Sequence, residues 1–62
     1  MQYSLKELRA RVNMTQAEIA QKLGVSTQTY CGWENSPGDI KISKAVQLAK
    51  IFGIQVGDIK IN

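Results

Sequence analysis

The apolar positions of this chain fall into short helical groups, each opened by a small polar residue. Leu5, Leu8 and Val12 recur at helical spacing behind Ser4. Ser4-Leu5-Lys6-Glu7 has the form of a capping box, in which the cap hydroxyl and a glutamate three residues on serve each other's backbone amides. Asn13 ends that helix, and Thr15-Gln16-Ala17-Glu18 is a second capping box. It opens a helix from Gln16 to Leu23 with Ile19, Ala20 and Leu23 on one face. Gly24 stands where the chain must take a positive φ to close the helix, which only glycine does without steric penalty. Val25 fills the corner, Ser26 caps a third helix, and Tyr30 and Trp33 give that helix its buried face. Ala20 is small because two helices crossing near their joint leave no room for more. Ser36-Pro37-Gly38-Asp39 reads as a loop. Ser43 is expected to cap a fourth helix, with Val46, Leu48, Ala49 and Phe52 on its apolar side and Gly53 as its stop. Residues 54–62 alternate apolar and polar. A short fifth helix over 56–59 fits them, Gly57 weakening it, and so does an extended IKIN.

The pattern therefore predicts an all-α fold of four to five short helices, forming one domain over residues 1–62. At 62 residues the core is near the lower size limit for a domain without staples. A single Cys excludes an intramolecular disulfide. The absence of His leaves that Cys no companion ligand, so neither a metal nor a cofactor is expected. The opening MQYSLKELRARV carries charges where a signal peptide needs an apolar run, and no stretch approaches membrane-spanning length. The cytoplasm is the expected compartment, with no membrane partner. A net charge of +3 suits a polyanionic partner but weighs little alone. Without His, a glycine-rich phosphate cradle or paired carboxylates in one segment, the chain is not expected to be an enzyme, and no small-molecule site is evident.

Two helices across residues 16–35 joined by a tight turn form a helix-turn-helix. With its flanks, the chain resembles the Cro and phage-repressor family. The resemblance runs from Leu5 to Ile59 and is carried by Leu5-x-x-Leu8-Arg9, Met14-Thr15-Gln16-x-Glu18-Ile19-Ala20, Leu23-Gly24-Val25-Ser26, Trp33-Glu34-Asn35 and Leu48-Ala49-x-x-Phe52-Gly53-Ile54. It implies a lambda-repressor-like bundle and a sequence-specific regulator of transcription that binds double-stranded DNA. The expected form is a prophage or bacterial repressor, bound as a weak homodimer to a near-palindromic operator. The second reading is an antitoxin that binds both DNA and a toxin protein.

Residue by residue, the resemblance implies that Gln16 bonds a backbone phosphate at a helix N-terminus. Thr27 and Gln28 would face base edges, where Gln suits adenine and the Thr methyl suits a thymine methyl. Gly32 lies one turn on, with Cys31 beside it. Asn35 and Ser36 would donate to phosphates and Lys41 would supply charge. Arg9 and Glu34 would form an ion pair tying the first helix to the third, the alternative being two solvated charges. Tyr30 and Trp33 read as core rather than as base-stacking aromatics. Cys31 reads as a tolerated small residue or as an oxidisable switch.

The chain departs from the family at Thr27, where relatives commonly place a Gln that packs on the residue equivalent to Gln16. It departs again at Gly32, which removes a base reader. Residues 16–35 contain Glu18, Lys22 and Glu34, a net charge of −1. Attraction to DNA would then come from Lys6, Arg11, Lys41 and Lys44, with Lys50 and Lys60 serving solubility. The tail residues Ile54, Val56, Ile59 and Ile61 are expected to be exposed and to form the dimer contact.

Overall fold

Reciprocal hydrogen bonds start the first two helices. In the computed structural model, which describes residues 2–61, the Glu7 amide donates to Ser4 Oγ at 3.1 Å and the Ser4 amide to Glu7 Oε1 at 3.0 Å. Helix α1 (Leu5–Val12) follows. Thr15 and Glu18 make the same exchange at 3.1 and 2.8 Å ahead of α2 (Gln16–Leu23). Hydrogen bonds from the Ser4 and Thr15 backbone amides hold the Glu7 and Glu18 carboxyls below their ordinary range.

Asn13 closes α1 at φ 56° and Gly24 closes α2 at φ 74°. At the second joint the Val25 amide reaches the Ala20 carbonyl at 3.0 Å and the Gly24 amide reaches that of Gln21 at 3.2 Å. This double closure sends the chain off at a fixed angle into α3 (Thr27–Asn35), where Ser26 Oγ accepts from the Thr29 amide at 3.0 Å. Tyr30 of α3 is completely buried and meets Trp33 edge-on, with ring centroids 6.5 Å apart. Both aromatics thus belong to the core side of α3, Trp33 as a partly buried neighbour.

Helix α4 (Ile42–Phe52) starts earlier than the sequence suggested. Its N-cap is Lys41, and Ser43 lies inside the first turn. The Lys41 carbonyl accepts from the Lys44 and Ala45 amides, so the helix is already under way before Ser43. Ile40 packs against the core just before the cap and Ala45 is buried one turn on, the two positions of a hydrophobic staple. The inward arc holds Ala45, Leu48, Ala49 and Phe52; Val46 lies beyond its edge and is exposed.

The tail combines the two readings of the sequence. Val56–Asp58 forms one 3₁₀ turn, and Ile59 then pairs in an isolated parallel bridge with Tyr3. The Tyr3 amide donates to the Asp58 carbonyl at 2.7 Å, and the Lys60 amide donates to the Tyr3 carbonyl at 2.8 Å. This bridge corrects the expectation of an exposed tail. Ile59 is turned into the core beside Leu5, Leu8, Ile19, Leu23, Leu48 and Phe52, and Ile54 packs against it. Val56 and Ile61 do face outward. Asn62, the last residue of IKIN, lies outside the described residues. Among the described residues no helix is long and apolar enough to cross a membrane.

Candidate nucleic-acid interface

At about 100° per residue, burial of Tyr30 turns the opposite side of α3 to solvent. Gln28, Cys31, Gly32 and Asn35 fall on that outward arc; Cys31 is half-buried and the other three are exposed. Thr27 opens the helix beside it. Together with Gln16, Arg9 and Thr15 it lines an open cleft of about 430 Å³ where the N-termini of α2 and α3 meet. Ser36 follows α3, and Lys41 stands exposed at the start of α4.

The floor of this region is a polar network. Arg9 Nε donates to Glu34 Oε2 at 2.7 Å and Nη2 to Glu34 Oε1 at 3.4 Å, while Nη1 reaches the Met14 carbonyl at 3.3 Å. Gln16 Nε2 donates to Glu34 Oε1 at 2.9 Å. The Glu34 side chain is only 7% exposed and that of Arg9 21%. Burial works against the charge on Glu34, but the hydrogen bonds from Arg9 and Gln16 outweigh it, and its carboxyl is held below the ordinary range. The hydrogen bond to Glu34 pushes Arg9 upward in turn. The buried Tyr30 hydroxyl lies near this pair without meeting hydrogen-bond geometry; burial, and then the carboxylate, raise its pKa well above the ordinary phenol value.

Gln16 is therefore not a free surface amide. One of its N–H groups is committed to Glu34, which leaves the other, and the backbone amides at the start of α2, for an anion. Sequence spacing held no sign of this bond, because it depends on how α3 lies against α2.

The sign of the Glu34 shift sets an acid limit on the fold. A carboxyl with a lowered pKa contributes stability that is complete above its unfolded value, ordinarily 4.5, and is lost as pH falls through the lower folded value. The melting temperature should thus decline from about pH 4.5 downward. Glu34→Gln should lower it at neutral pH and flatten the decline, leaving the smaller slope due to Glu7 and Glu18. Parallel pH profiles for the two proteins in thermal melts would contradict this.

The cations are arranged differently from the sequence expectation. Lys44 Nζ donates to the Leu23 carbonyl at 2.6 Å, so its charge closes the C-terminal end of α2, where the helix dipole favours a cation. One of its three N–H donors is thereby committed inside the protein. The Arg11 guanidinium sits 4.9 Å from the centre of the Tyr3 ring. Lys6 and Lys41 remain exposed. Among the described residues no group of His, Cys, Asp and Glu is placed to hold a metal ion.

A helix-turn-helix family model matches residues 5–59. The chain is 43% identical to an uncharacterized HTH-type transcriptional regulator of Methanocaldococcus jannaschii, over 98% of this chain and 92% of that protein. It is 34% identical to an uncharacterized HTH-type transcriptional regulator of Archaeoglobus fulgidus, over 98% of this chain and 86% of the relative. It is also 27% identical to the cryptic phage CTXphi transcriptional repressor RstR of Vibrio cholerae, over 89% of this chain but 50% of that protein. No solved structure matches.

Proposed function

This chain belongs to the helix-turn-helix family of DNA-binding transcriptional regulators, and we propose that it is a repressor occupying a near-palindromic operator as a dimer. The family is not a class of enzymes. The observation that carries the proposal is the outward face of α3. It presents Gln28, Gly32 and Asn35 to solvent with no side-chain partner among the described residues, opposite a completely buried tyrosine. In this reading residues 1–62 act as one DNA-binding domain and α3 enters the major groove. Gln28 takes an adenine edge and Thr27 a thymine methyl. The free N–H of Gln16 and the start of α2, with Asn35, Ser36 and Lys41, hold phosphates and set the register. Cys31 flanks the reading face as a small neighbour.

Dimerisation is supported by what the surface offers. Lys44 is half-buried with one bond to the Leu23 carbonyl and Arg9 is committed to Glu34, so two of the cations nearest α2 and α3 are partly spent inside the protomer. Ile42, by contrast, is 75% exposed, and Val46, Val56 and Ile61 are also outward. A second copy covering these side chains would set two recognition helices on half-sites about 34–36 Å apart. Repression then follows from occupying the operator. A repressor is favoured over an activator by the likeness to a phage transcriptional repressor. The relatives are named as regulators and a repressor, which gives the antitoxin reading no support.

Selection of a preferred site from randomised duplex DNA tests the proposal, since it returns the sequence, its symmetry and its spacing together. On that site Gln28→Ala should cost about 1–3 kcal/mol of binding, and much less on random DNA. Equal losses on both would reduce Gln28 to a backbone contact.

A further inference from the structure

Gly32 sits in the interior of the nine-residue α3, where glycine weakens a helix relative to alanine. Nothing among the described residues requires it. Its φ is not positive, unlike those of Gly24 and Gly53. Among the described residues no atom from elsewhere lies within 4 Å of where its Cβ would stand, and the position is exposed. It is not at a helix end, so it serves no cap. The open side of this position is turned away from the rest of the described protein. On the outward arc Gly32 lies between two amides, Gln28 one turn before and Asn35 one turn after, so the middle of the face dips while its ends project.

We propose that Gly32 is a specificity position by absence: its bare backbone lets α3 seat against base edges on the major-groove floor, at a depth that even one added methyl group would prevent. This rests on α3 being the groove helix, and it adds to that reading. It reverses the simpler idea that Gly32 is a gap from which a base reader has been lost. Seated deeper, the helix brings the Gln28 amide within reach of an adenine edge, and base pairs opposite Gly32 are selected by what fits against the backbone.

Thermal melts and fluorescence anisotropy of the wild-type chain, Gly32→Ala and Gly32→Gln, on the selected operator and on a random duplex, test this. Gly32→Ala should raise the melting temperature by about 4–8 °C, because it removes a helix-weakening glycine in a domain of this size. It should also weaken operator binding by about tenfold or more while changing random-duplex binding by about twofold at most. Gly32→Gln should weaken operator binding further. The proposal is overturned if operator binding by either variant is unchanged or tighter, if both duplexes lose affinity equally, or if Gly32→Ala lowers the melting temperature. A wild-type chain with no sequence preference would bring down the reading of α3 itself, and this inference with it. That outcome is distinct because it appears before any variant is compared.

Discussion

Arg9→Met should destabilise the domain by about 3 kcal/mol, the lower end of what breaking a buried ion pair costs. The cause is what remains. Glu34 would keep its charge in a site only 7% exposed, with Gln16 as its remaining hydrogen-bond donor among the described residues. The Met14 carbonyl would lose its donor as well. A domain of this length holds roughly 3–9 kcal/mol in all, so the loss would leave a substantial unfolded population. Intact, the pair is weak evidence of stability, because desolvating both charges offsets most of their attraction. Arg9→Met combined with Glu34→Leu should therefore cost less than the two single changes added together. A denaturant cycle in which the costs simply add would show two independent surface charges instead.

The first three helices were legible in the sequence because their boundaries are set by interactions three residues apart. Ser4 with Glu7 and Thr15 with Glu18 satisfy each other locally, and Gly24 closes α2 whatever the rest of the chain does. The outward face of α3 could likewise be read from the spacing of Tyr30 and Trp33. What could not be read depends on crossings between distant segments. Lys44 looked like a free charge until α4 brought it to the Leu23 carbonyl, 21 residues away. Gln16 looked like an exposed amide until α3 laid Glu34 beside it. Pairing of Arg9 with Glu34 across 25 residues was suggested by family resemblance, since no periodicity reports on such a distance. The start of α4 was misplaced because Ser43 is a good cap by type, while packing of Ile40 had already directed the chain into a helix at Lys41.

Ile59 and Ile42 separate folding from assembly, and they should respond in opposite ways to the same substitution. Ile59 is 1% exposed and its backbone is paired with Tyr3. Truncation to Ala should cost about 2–5 kcal/mol, from lost transfer energy and the cavity left behind. Ile59→Asp should cost more, since a carboxylate would be driven into an apolar core. Against roughly 3–9 kcal/mol in total, that change should unfold the chain at neutral pH. Ile42 is 75% exposed in the first turn of α4, where an acidic residue suits the helix dipole. Ile42→Asp should shift stability by no more than about 0.5 kcal/mol. Its effect should fall on self-association: sedimentation should show a monomer, and the second half-site should no longer fill cooperatively. Circular dichroism checks the first outcome and sedimentation the second. A folded Ile59→Asp protein would contradict the burial of Ile59 in the core, and an Ile42→Asp protein that still dimerises would move the dimer contact to another face.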